Sequence, residues 1–128
     1  MPDFSNTTKT AVVDWLCGGA EPTRPTARWL ALYTSAPTDA GGGVEVSTGG
    51  YARQEITFGA HDGTAAYNDA LLRFECAGAD WGEITHGAIF DAAAAGAFLM
   101  WAALTAPKTI PDGDALEFAI GAVAVGMI

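Results

Sequence analysis

Two histidines, two cysteines and fifteen scattered carboxylates are the side chains whose chemistry could exceed simple contact. A Ser-His-Asp triad can be assembled on paper from Ser35 or Ser47, His61 or His86, and any aspartate, because such a triad is defined by geometry and not by order in the chain. No GxSxG elbow or other local signature supports one. His86 falls on a strand face with Ile84, Ala88 and Phe90, where a hydrogen-bonded structural histidine is favoured over a base or ligand. His61 stands beside Asp62 in a turn and reads as solvated. Cys17 and Cys76 lie far apart with no CxxC, so two reduced, largely buried thiols are expected and not a metal site.

The oxygen donors do no better. Asp112-Gly113-Asp114 resembles part of a calcium loop, but an EF-hand needs further oxygens and a closing Glu at set spacing; a turn into a strand is favoured. Asp39, Glu45 and Asp62 could meet at a cation only if separate loops converged. Gly41-Gly42-Gly43 lacks the Lys and the helix that a phosphate loop requires. These residues assign no catalytic group, cofactor or metal.

Composition narrows the partners. The 128 residues carry 15 Asp+Glu against 6 Lys+Arg, a net charge of -9. Nucleic-acid affinity needs clustered cations, yet the closest pair is Arg24 and Arg28. The same deficit argues against anionic membranes. No apolar run approaches the roughly 20 residues of a bilayer span, and MPDFSNTTKT has neither a basic n-region nor an apolar h-region. Production in a cytosol is expected, as one domain over residues 1–128.

One helix is expected, over residues 5–17. Phe4, Thr8, Ala11, Val12, Trp15 and Leu16 form its stripe, Ser5 or Asn6 caps it, and Gly18-Gly19 ends it. Phe4, Trp15 and Trp29 should pack it on the strands. Pro22 and Pro25 then impose an extended lead-in. Strands follow over residues 28–34, 51–58, 70–76, 84–90, 97–104, 115–120 and 122–128, punctuated by Asp-Gly and Asn-Asp turns and by the turn 92–95. Residues 28–34 are apolar on both faces, as in a covered central strand. The pattern predicts an all-β fold over residues 27–128, a β-sandwich, jelly-roll-like or Ig-like, of about seven to eight strands with one N-terminal α-helix.

The loop 35–50 is far longer than the roughly 4–6 residues typical of connections. It and its flank supply the expected protein-interface residues: Thr38, Asp39, Val44, Glu45, Val46, Tyr51 and Arg53. Tyr and Arg are favoured interface anchors, although a plain strand residue and a solvated arginine fit Tyr51 and Arg53 as well.

Three segments carry a family resemblance. The first is the opening helix with Pro25-Thr26 leading into Leu30-Ala31-Leu32-Tyr33-Thr34. The second is Ala36-Pro37-Thr38-Asp39-Ala40-Gly41, Val44-Glu45-Val46 and Gly49-Gly50-Tyr51-Ala52-Arg53. The third is Trp81-Gly82, Ile84-Thr85-His86, Ala88-Ile89-Phe90-Asp91 and Ala102-Ala103-Leu104-Thr105, followed by a Gly-Asp. In these the chain resembles small tailed-bacteriophage virion proteins described as head-decoration, head-fibre or tail-fibre proteins. It departs from them in its alanine-rich turn 92–95 and its apolar end. The resemblance implies a non-enzymatic structural protein of the virion, assembled in the host cytoplasm. The leading expectation is a capsid decoration or cement protein, a homo-oligomer with a trimer favoured, whose partners are the major capsid protein or neighbouring virion proteins. A tail or fibre component is the near alternative. A carbohydrate-binding β-sandwich using Tyr51, Tyr67 or Trp81 is the remote one.

Overall fold

Residues 29–35 show no inside–outside alternation because both of their faces are covered. Leu30 and Leu32 enter one hydrophobic cluster, and Ala31 and Tyr33 enter a second on the opposite side. The computed structural model, which describes residues 3–126, builds ten strands and one helix around this strand. In chain order they are β1 (Asp3–Phe4), α1 (Asn6–Leu16), β2 (Trp29–Ser35), β3 (Val44–Glu45), β4 (Gln54–Glu55), β5 (Ala66–Tyr67), β6 (Leu72–Glu75), β7 (Gly82–Phe90), β8 (Phe98–Ile110), β9 (Ala115–Phe118) and β10 (Ala124–Val125).

The main antiparallel sheet runs β1-β8-β7-β2-β3, with β4 also pairing β2. Two ribbons, β6–β9 and β5–β10, are paired separately. Leu72, Phe74 and Leu116 of the first ribbon join Leu30, Leu32, Ile84, Ile89 and Ile110 of the main sheet in one core. That layering is the expected all-β, sandwich-like fold with an N-terminal helix. Phe74 is almost wholly buried and packs edge-on against Phe118, with ring centroids 6.1 Å apart.

Several expectations need correction. Ten strands replace about seven to eight, because half are two-residue segments. The expected strand 51–58 shrinks to Gln54–Glu55 plus a single bridge from Phe58 to Asn68, since Tyr51 and Arg53 are drawn into side-chain hydrogen bonds. Ile84 does not share a face with Ala88 and Phe90. A bulge displaces the register: Ile84 pairs with Lys108 while His86 pairs with Ala103, leaving residues 104–107 opposite Thr85. Ile84 is thereby turned into the main core with no exposure. Of the expected last strand, Ala124–Val125 is found; Met127 and Ile128 lie outside the described residues.

The helix begins at the expected cap. The Ser5 hydroxyl accepts from the Thr8 amide at 3.1 Å, and Gly18 follows the last turn with φ 88°. Its packing differs from expectation. Thr8 donates to the Leu99 carbonyl at 2.8 Å, which fastens the first turn to β8, but no helix residue is buried and Trp15 is 59% exposed. Cys17 is likewise exposed, while Cys76 is buried as expected.

Asn68 pins the chain end. Its side chain donates to the Ala70 and Ala119 carbonyls, both at 3.0 Å, and accepts from the Val123 amide at 2.8 Å. Removing it would orphan those groups beside a buried position. We expect Asn68→Ala to lower unfolding free energy by about 2–3 kcal/mol in urea denaturation. Asn68→Asp, which keeps only the acceptor, should also destabilise, and an unchanged midpoint for both would refute the pinning role.

Candidate functional site

The long loop does not hang free. After β2 it turns at Thr38–Gly41, whose backbones bond each other in both directions at 2.8 and 2.9 Å. Pro37 is fully buried beneath that turn. A Cβ on Gly43 would approach the Pro37 nitrogen and the Ser35 carbonyl to 2.8 Å, so the chain passes itself there with no room for a side chain. Asp39 accepts from Trp101 Nε1 at 3.0 Å and from Lys9 Nζ. These two bonds, the Lys9 one foremost, hold its carboxyl below the ordinary aspartate range. The loop tip is thus tied to both β8 and α1.

Glu45, Tyr51 and Arg53 meet in a single node. Arg53 Nε donates to Glu45 Oε2 at 2.8 Å and its Nη2 to Oε1 at 2.9 Å, a two-pronged pairing. Its Nη1 donates to the Ala92 and Ala95 carbonyls at 3.0 and 2.8 Å. The guanidinium carbon sits 3.7 Å from the centre of the Phe90 ring, within cation–π range. Tyr51 donates its hydroxyl to Glu45 Oε2 at 2.7 Å and accepts from the Leu32 amide at 3.0 Å. The Arg53 side chain is only 7% exposed.

The electrostatics follow from this geometry. Burial alone would raise the Glu45 carboxyl; the hydrogen bonds from Arg53 and Tyr51 and the Arg53 charge overcome it and leave it below the ordinary range. Burial, then the bond to Glu45, pushes the Tyr51 phenol far above its usual value, so it remains a donor. Tyr33, opposite Glu45 in the sheet, is raised by burial and then by the Glu45 charge.

The expected interface residues therefore have different placements. Thr38 and Val44 are exposed, Asp39 is half-buried, Val46 lies in the core, and Glu45, Tyr51 and Arg53 are brought together inside the loop. Among residues weighed for chemistry, His86 Nδ1 bonds Thr85 Oγ1 at 2.8 Å, and His61 Nδ1 accepts from the Gly63 amide at 3.0 Å. Asp112 accepts from the Gly78 amide at 2.7 Å, joining its turn to the one after β6. Among the described residues no group of three metal-ligating side chains gathers. The aromatic platform expected of a glycan binder is not assembled either. Trp81 is buried and donates to the Gly49 carbonyl at 3.2 Å, and Tyr51 packs between Phe74 and Trp81, leaving Tyr67 exposed.

Two apolar surfaces are open where the sequence pattern predicts burial or gives no sign. One is the last turn of α1, where Val13, Trp15 and Leu16 are 57%, 59% and 70% exposed. The other is a groove of about 590 Å³ at the open mouth between β8 and β9, lined by Met100, Leu104, Phe118, Val123 and Val125. Beside it, β1 pairs β8 only at Met100 and Trp101, so the outer edge beyond them has no partner strand among the described residues. The signal available was the apolar run from residue 97 to 107 ending in Pro107, since Pro within a strand belongs to an edge or bulge.

Residues 3–126 match the family model described as Podophage GP4 fiber I protein gp80. No curated protein matches the chain.

The node makes two predictions. Breaking it from one side strands the partly buried Glu45 carboxylate, so Arg53→Ala should cost about 3 kcal/mol in chemical denaturation. The double change Glu45→Gln with Arg53→Met, which removes both charges, should recover more than half of that loss; no recovery would place the cost elsewhere. A depressed carboxyl contributes stability above its unfolded pKa, 4.5 for glutamate here, and loses it as pH falls through the folded value. Wild-type stability should therefore fall more steeply than that of Glu45→Gln between about pH 5 and about pH 3. Equal slopes would count against the shift.

Proposed function

The chain belongs to the podophage GP4 fiber I protein gp80 family, and from that premise we propose that it is a non-enzymatic subunit of a fibre on the phage particle. A structural component of the virion is what family membership supports. The finer placement is ours, and it exchanges the leading expectation of capsid decoration for the near alternative of a fibre. The match over residues 3–126 is the observation that carries it, because it spans both the sheet and the fastened loop and not one shared motif.

The side-chain arrangement agrees with a contact role. Arg53, Glu45 and Asp39 spend their hydrogen-bonding capacity on the fold's own loops. What is left at the surface is shape, apolar faces and dispersed acidity. We propose that its partners are neighbouring virion proteins and further copies of itself, with a trimer as the expected count, and that assembly takes place in the host cytoplasm. Symmetric repetition would let individually weak contacts hold, since linked contacts multiply in strength.

Reconstruction of the whole particle tests this reading. Density fitting this fold should appear in projecting fibres. Density repeated over the icosahedral capsid lattice and missing from fibres would overturn it in favour of decoration.

A further inference from the structure

We propose that copies of this chain join head to tail, with the last turn of α1 from one copy seating Trp15 and Leu16 in the β8–β9 groove of the next. The inference rests on the self-association proposed above and assigns residues to it.

Both halves of the contact are present in one chain: the last turn of α1 is exposed, and the groove lining is only partly buried against the main core among the described residues. Val12, Val13, Trp15 and Leu16 make a continuous apolar face on the helix, from which Trp15 and Leu16 project most. Burying such a face is the usual reason for an amphipathic helix, yet none of its residues is buried here. The groove, about 590 Å³, is of the size that encloses a small ligand, roughly 300–1,000 Å³. The helix does not fill the groove of its own chain, because its first turn is fastened at Leu99 and its tip stays open to solvent.

Charge supplies the orientation. The last turn of α1 carries no basic residue and Asp14 forms no salt bridge among the described residues, so only the Cys17 and Gly19 amides, which cap the Val13 and Asp14 carbonyls, meet the negative end of the helix dipole. Lys108 lines the groove and forms no salt bridge among the described residues. Seating the helix end there sets Lys108 against Asp14 and the terminal carbonyls. A chain of net charge -9 repels its copies, so contact is favoured where carboxylates are sparse, and the groove lining has only Glu117.

The two surfaces differ, which makes the contact heterologous: it closes into a ring or continues as a chain of copies. Each contact is small. A Trp side chain buries about 150–250 Å² when fully covered, so helix and groove together fall short of the roughly 1,200–2,000 Å² of a standard interface. Single contacts are therefore weak and concentration-dependent.

Sedimentation of the full chain up to about 500 μM, a range suited to weak association, tests the proposal. Wild type should associate. Trp15→Glu and Leu104→Glu should each weaken association at least about tenfold with unchanged circular dichroism, and Lys108→Glu replaces Leu104→Glu should that variant misfold. An equimolar mixture of a helix variant and a groove variant retains one intact helix and one intact groove, so heterodimers and nothing larger should return. Association surviving in Trp15→Glu would overturn the contact, as would a groove variant that associates normally, which would indicate helix-to-helix pairing. A mixture that stays monomeric would overturn the head-to-tail arrangement. A monomeric wild type would overturn self-association itself while leaving the fibre assignment to the particle reconstruction.

Discussion

The two-pronged bond between Arg53 and Glu45 is the constraint on which the rest of this fold leans. Between β2 and β5 the chain makes only the two-residue strands β3 and β4, too little ladder to hold some thirty residues in place. Beside the burial of Val46 and Ile56, one guanidinium ties that region together by gripping Glu45 in β3, the Ala92 and Ala95 carbonyls of the β7–β8 turn, and the face of Phe90. Lysine could not substitute, since an ammonium lacks the planar fork that meets a carboxylate with two bonds while stacking on a ring. Burying two charges is costly unless their hydrogen bonds are satisfied; here Arg53 uses its Nε, Nη1 and Nη2 donors and Glu45 gains a third bond from Tyr51.

This node has a consequence for the alanine-rich turn 92–95. Ala95 adopts φ 52°, unusual for a residue with a side chain, and Gly96 follows at 78°. A Cβ on Gly96 would come within 2.5 Å of Asp91 Oδ1, which accepts from the Ala97 amide at 2.7 Å. The turn therefore presents carbonyls outward from a tightly wound backbone, and Arg53 takes two of them. Small side chains at 92–95 let that cation approach. The feature that set this chain apart from its resemblance is thus part of what fastens its loop.

Much of the fold was legible where a local rule acts alone. The Ser5 cap, the Gly18 stop, the doubly covered β2 and the alternation of Leu72 and Phe74 against Arg73 and Glu75 follow from capping chemistry and period-two burial. Legibility failed where long-range bonds override the local pattern. Tyr51 and Arg53 look like strand residues until Glu45, held by β2, draws both inward. Ile84 looks like a neighbour of Ala88 until the bulge opposite residues 104–107 changes its face. The loop proves fastened to the domain along its length, and of its expected contact residues only Thr38 and Val44 are exposed. No sequence pattern says whether a Tyr–Arg pair faces a neighbour or its own chain.

The same reasoning explains why the apolar helix stripe was expected to be buried. A stripe of Ala11, Val12, Trp15 and Leu16 predicts packing on the domain's own core, and its first turn does meet β8 through Thr8 and Leu99. A helix tied to β8 and the loop through its first turn alone does not press its whole stripe inward. Only Thr8, Ala11 and Val12 are partly covered, while the last turn overhangs. Periodicity reports that a face is apolar; it does not report which molecule covers it. Leaving Trp15 and Leu16 in water exposes an apolar patch with no gain for a solitary monomer. Within an assembly the balance reverses, because the overhanging turn and the open groove become two sides of one contact.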